Sequence, residues 1–172
     1  RGSAIQSDGF IDRASSDLKS ANLVAAKYWD KSVFKANIML GSERTYQAWN
    51  GIPEPTFKGD IADENRYISQ LYIGGDALQN LQKSNSQTYN SYTYENEVDN
   101  YNQNHYQFFF DHSFTNFLKL NTAAYVTTGK GYYEQFKAGE TLGDYGIDSL
   151  QTTGDTALEG DLVRRRWLDN TL

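Results

Sequence analysis

Cysteine is absent from the 172 residues, and only two prolines, two histidines and one methionine occur. Without thiols there is neither a disulfide framework nor a thiolate metal site. His105 and His112 are seven positions apart, so on a strand they point to opposite faces and cannot share a metal ion without a bulge. No metal site and no cofactor are expected. Long apolar runs are missing too, and no segment approaches the roughly 20 residues of a membrane helix. That excludes a helical membrane protein but not a membrane β-barrel, whose strands hide their hydrophobicity in alternation. The sequence opens on neither an initiator Met nor the basic and apolar regions of a secretory leader, so no leader is expected within it. Positive charge is scarce, with sixteen Lys and Arg against twenty-two Asp and Glu and a net charge of −6. The footprint of a nucleic-acid binder is therefore lacking, and Arg164–Arg166 is the one basic cluster.

What the chain has in quantity is aromatic side chains, 15% of all residues, chiefly thirteen Tyr and nine Phe. Aromatics with few prolines favour strands. In VFKANIMLGSERTYQAW (residues 33–49) Phe34, Ala36, Ile38 and Leu40 alternate with Lys35, Asn37, Met39 and Gly41, the period of a strand with one oily face. Residues 12–28 alternate less cleanly, with Leu18, Val24, Ala26 and Tyr28 on the charge-free, even side; a very short connection at Trp29–Ser32 makes the pair a hairpin. A second hairpin pairs residues 99–114, with Tyr106, Phe108, Phe110 and Phe114 on one face, to residues 118–134, with Leu118, Leu120, Ala124 and Val126 on one face. Opposed residues of an antiparallel pair share a face, so matching Phe110 to Thr122 and Phe108 to Ala124 requires an odd-length turn, Thr115–Phe117.

The connections alternate between very short and very long. Loops at 50–98 and 135–161 are polar, and in the first the spacing of Tyr67, Ile68, Leu71 and Tyr72, resumed by Leu78 and Leu81, predicts one or two short helices. Residues 162–168 read as a fifth strand. The expected fold class is all-β: an antiparallel β-meander of long hairpins, a partial transmembrane β-barrel of about five strands, in one domain spanning residues 1–172. Strands far longer than the usual 5–6 residues and the short/long alternation of turns suit an outer-membrane barrel. Phe34, Ala36, Ile38, Leu40, Phe108, Phe110, Leu118, Leu120 and Val126 would then face lipid, and Lys35, Asn37, Glu43, Gln107, Asp111, Lys119 and Asn121 a watery lumen. A soluble β-sandwich or solenoid that buries the same aromatics is the alternative, and with it a secreted carbohydrate-binding β-domain.

The candidate ligand-binding residues gather around YTYENEVDNY: Tyr92, Tyr94, Glu95, Glu97, Asp99 and Tyr101, with Trp49, Tyr132 and Tyr133 near the loop ends of neighbouring strands. Tyr rings stack on sugars or chelates, and carboxylates accept hydrogen bonds or hold a cation. The competing reading is a loop returning into a strand, its Tyr packed on neighbouring loops. In an extended segment Glu95, Glu97 and Asp99 would share one side, a conceivable calcium arrangement without the Gly-marked spacing of a calcium loop. No nucleophile elbow and no carboxylate pair of defined separation occur, so catalysis is not expected. In Arg164–Arg166 the faces alternate, with Arg165 opposite the other two.

ERTYQAWNGIPE (Glu43–Glu54), YTYENEVDNY (Tyr92–Tyr101), GKGYYEQFK (Gly129–Lys137) and RRRWLDN (Arg164–Asn170), in this order, resemble the barrel region of TonB-dependent outer-membrane receptors of the Bacteroidota type. The likeness extends over nearly the whole chain, from SDGFIDRASSDLKS (Ser7–Ser20) onward. It implies a barrel of about 22 strands closed by a plug domain. Such a receptor sits in the outer membrane of a Gram-negative bacterium, in contact with its lipid. It imports a scarce nutrient, a siderophore, cobalamin, glycan or peptide, on energy from the TonB complex, which acts through the plug. The chain is expected to be a fragment, lacking the plug and holding roughly a fifth of the strands.

Overall fold

The structure, a computed structural model, describes residues 1–58, 75–147 and 158–172. They form one six-stranded antiparallel sheet in simple meander order: β1 (Gly2–Ser7), β2 (Ser16–Tyr28), β3 (Ser32–Tyr46), β4 (Val98–Ser113), β5 (Lys119–Thr141) and β6 (Glu159–Thr171). Among the described residues, two short helices, α1 (Glu54–Lys58) and α2 (Gly75–Lys83), lie in the β3–β4 connection, and a 3₁₀ turn (Leu142–Tyr145) follows β5. Helix α2 carries Leu78 and Leu81 as their spacing predicts; the expected helical residues Tyr67–Tyr72 lie outside the described residues.

Both hairpin turns are as short as expected. Trp29 and Ser32 exchange backbone hydrogen bonds around Asp30-Lys31, and Phe114 N donates to Leu118 O across Thr115–Phe117. The odd turn sets the register: Phe110 stands opposite Thr122 and Phe108 opposite Ala124. The two-residue turn has a consequence that corrects the reading of β2. It sets Lys27 opposite Phe34, Ala25 opposite Ala36 and Leu23 opposite Ile38, so the odd residues of β2 join the oily face. Leu18, Val24, Ala26 and Tyr28 lie on the polar face instead. Lys27 is tolerated because its long stem lets the ammonium reach back over the Trp29 ring, 5.2 Å from the centroid.

Three further expectations are corrected. The described residues form six strands rather than five, because GSAIQS, whose alternation is weak, pairs with β2 as an edge strand. Residues 12–15 are not part of β2: Gly9 and Arg13 adopt positive φ there, and the chain turns back. The strand expected to end at 134 runs to Thr141, and β6 starts at Glu159, so the loop of 135–161 shrinks to 142–158. Its glycine explains the misreading, since Gly139 (φ 62°) lies in a bulge between Lys137 and Glu140 that keeps the strand paired rather than ending it.

No second sheet covers either face among the described residues. On one face Phe34, Ala36, Ile38, Tyr106, Phe108, Phe110, Ala124 and Val126 form adjoining rows across β3, β4 and β5. Phe108, near their centre, is still 41% exposed, and Phe110, Leu120 and Val126 are exposed too. His112 lies within this face between Phe110 and Phe114, its ring 4.4 Å from that of Phe114, and its Nδ1 shares a 2.7 Å hydrogen bond with Ser32 Oγ. The opposite face is mixed, with Val24, Tyr28, Phe109 and Tyr125 exposed on it beside a ladder of polar side chains. Asn22 donates to Asn37, which donates to Gln107, while Asn121 donates to Asp111. The buried side chains gather at the long-loop end, where Tyr46, Leu81, Tyr89 and Val98 supply the apolar part.

Candidate functional site

At the long-loop end the sheet, the β1–β2 turn and the segment leading into β4 are held together through Asn90, whose side chain is fully buried. Its Nδ2 donates to Asp12 O at 2.9 Å and Gln47 O at 3.0 Å, and its Oδ1 accepts from Tyr92 N at 3.1 Å. Its own carbonyl accepts from Arg13 Nη2 and Asn80 Nδ2. Through its side-chain amide and its main-chain carbonyl, this one residue ties the β1–β2 turn, the end of β3 and helix α2 to the segment carrying Tyr92. Arg13, left-handed in its turn, adds a bond from Nε to Tyr92 O at 2.8 Å.

A second hub is Glu134, on the apolar-band face of β5 and 3% exposed. Oε1 accepts from Tyr94 Oη at 2.8 Å and Asn96 Nδ2 at 2.7 Å; Oε2 accepts from Arg165 Nε at 2.6 Å. Burial alone would raise its pKa, but the bonds from Asn96, Tyr94 and Arg165 outweigh it and hold the carboxyl below its usual value. Glu97, also 3% exposed, has the opposite balance. Burial pushes its pKa up, and the Phe136 N–H donating to Oε2 at 3.1 Å, with Lys137 nearby, only partly offsets it, while Glu134 adds to the rise.

The structure separates the candidate ligand residues. Tyr94 is committed to Glu134 and packs on Phe136, and Tyr46 Oη donates to Tyr94 O. Tyr92 is half-buried, with Asn50 Nδ2 at 3.5 Å from its hydroxyl and Trp49 edge-on at 6.4 Å; Trp49 itself is 64% exposed. The expected shared side of the three carboxylates is not found, because Tyr94–Glu97 forms a turn rather than a strand. Glu95 faces solvent, Glu97 is buried against Phe136 N, and Asp99 lies on the polar face opposite Tyr133, its pKa raised by burial. Tyr101 is also on the polar face, lying over Gly129 and Gly131, where added Cβ atoms would fall 1.8 Å from its hydroxyl and 2.7 Å from its ring. Tyr132 and Tyr133 point to opposite faces. Tyr132 stands edge-on to Trp167 at 5.0 Å, with the Arg165 guanidinium 4.5 Å from its ring; Tyr133 lies beside Arg164 and Arg166.

The residues that organise this end, Asn90, Glu134, Gln47 and Arg13, were not among the candidates. For Glu134 a signal existed: the register that opposes Phe108 to Ala124 brings Tyr133 opposite Asp99, and Glu134 is the next residue. For Asn90 and Arg13 there was none, since their partners are backbone carbonyls of distant segments. The alternation of Arg164–Arg166 is as read: Arg165 stands opposite Glu134, Arg164 opposite Gln135 and Arg166 opposite Tyr133. No protein-family model, no curated protein and no solved structure matches the chain.

Proposed function

We propose that this chain forms part of the wall of an outer-membrane β-barrel receptor of the TonB-dependent kind, which binds a scarce nutrient at its long-loop end and imports it without covalent chemistry. The apolar band carries this reading. On one face the side chains are mostly apolar from the turns up to the row of Leu23, Ile38, Tyr106 and Val126, interrupted by Lys27, Ser32, His112 and Thr122. In the next row Leu40 stands opposite Asn104, and above it polar side chains take over on β3 and β4, with Ser42 opposite Asn102 opposite Lys130, while Tyr132, Phe136 and Trp167 lie higher on β5 and β6. From Phe114 to Tyr106 the band covers about 25 Å of strand, or about 20 Å of height at a barrel tilt near 40°, close to the apolar belt of such barrels. A sandwich core would stay apolar along its whole inner face, and an aqueous face would not expose a continuous patch of this size.

Aromatic and amphipathic side chains stand where the belt would meet head groups: Trp29, His112 and Phe114 at the turns, Tyr106 at the upper margin. The polar ladder of Asn22, Asn37 and Gln107 would line the lumen. Six strands fall short of the eight of the smallest barrels, so on this reading other strands complete the wall. The test is purification with and without detergent. The chain is expected to be monodisperse and β-structured in micelles and to self-associate without them. A monodisperse, cooperatively melting monomer free of detergent would overturn the reading in favour of a soluble β-domain.

A further inference from the structure

Arg164 and Arg166, two residues apart on β6, share the polar face and lie about 7 Å apart along the strand. Across the ladder they oppose Gln135 and Tyr133 of β5. The Arg164 guanidinium carbon is 5.9 Å from the centre of the Tyr133 ring, and Arg166 Nη1 donates to Tyr133 Oη over a long 3.4 Å. Arg164 Nη2 donates to Gln135 Oε1 at 2.6 Å, which leaves its buried Nε without an acceptor.

Among the described residues neither arginine has a carboxylate within 4.0 Å, although the chain carries a net charge of −6. Arg165, on the other face, is neutralised by Glu134. The neighbouring acids are engaged elsewhere or set apart. Glu97 accepts from Phe136 N, Glu140 from Tyr145 Oη, Asp161 from Gly139 N, and Asp99 stands on β4, beyond Tyr133. Two guanidiniums on one face, one with an unused buried donor, and a tyrosine hydroxyl beside them lack only a multi-oxygen anion as acceptor. Guanidinium forks match such anions bidentately.

We infer that Arg164, Arg166 and Tyr133 form an anion site that takes a carboxylate or phosphate group carried by the ligand. It rests on the wall reading only in that the polar face then lines the ligand's route. The experiment titrates the micelle-folded chain with citrate and with inorganic phosphate by calorimetry. Saturable single-site binding is expected for at least one anion, and the tighter of the two names the group. Arg164→Gln and Arg166→Gln should each weaken binding about tenfold or more, while Lys19→Gln on the opposite face leaves it unchanged. Arg166 is exposed, so its variant keeps the fold, which circular dichroism checks. Absence of saturable binding, or equal binding in Arg166→Gln, overturns the site. If the chain still requires detergent, the wall reading survives that failure; binding by a detergent-free monomer would have the reverse meaning.

Discussion

Glu97 and Glu134 are equally buried, yet their surroundings push their protonation in opposite directions. Glu134 has its folded pKa lowered, so its ionised form contributes stability that is present above the unfolded value and lost as pH falls through the folded one. Glu97 has its folded pKa raised. Its contribution is complete below the unfolded value, near pH 4, and lost as pH rises through the folded value. Glu97→Gln keeps an acceptor for Phe136 N while removing the charge, so it should stabilise the chain at neutral pH, with a gain that disappears in acid. Glu134→Gln should destabilise at neutral pH, where Arg165 loses its counter-charge, and flatten the acid limb. Urea unfolding in micelles between about pH 3 and 8 reads both. A Glu97→Gln chain less stable than the parent at neutral pH, with the deficit disappearing in acid, would show that the carboxylate is needed in its charged form.

At the level of the strands, GKGYY owes its glycines to Tyr101. An added Cβ at Gly131 would come within 2.2 Å of Asn100 O and 2.7 Å of Tyr101 Cα, both backbone atoms, whereas at Gly129 it meets only the outer end of the Tyr101 ring. Gly131→Ala should therefore cost about 1–3 kcal/mol, and truncating Tyr101 should not relieve it. Gly129→Ala should cost less and be largely rescued by Tyr101→Ser. A double-mutant cycle measures this, with coupling expected for position 129 and little for 131. The glycines of GKGYY are evident in the sequence, but the residue lying on them is not. Legibility followed local geometry: the β4–β5 register could be read because an odd turn joins two runs with clear oily faces. The faces of β2 could not, since Lys27, Lys19 and Asp17 sit on the side that the turn assigns to Phe34. β1 offered only six weakly patterned residues, and Asn90 and Arg13 act through backbone contacts that no periodicity encodes.

The described strands form a single sheet whose one face changes character along β3 and β4, and two positions on β4 separate the explanations for it. Phe108 and Asn102 both point to that face, six residues apart, Phe108 within the band and Asn102 above it, between Ser42 and Lys130. If the band lies in a bilayer, Phe108→Lys places a charge in hydrocarbon and should cost about 2–4 kcal/mol in folding into lipid vesicles, while Asn102→Lys, above the interface, should cost about 0–1 kcal/mol. If another protein layer covers the whole face, both lysines are buried without a partner and both are costly. If water covers it, both fall within about 0.5 kcal/mol of neutral. Detergent dependence alone merges the first two cases, because an uncovered interface also self-associates. The lysine pair does not, since a bilayer has a thickness, and its cost must disappear with height along one strand.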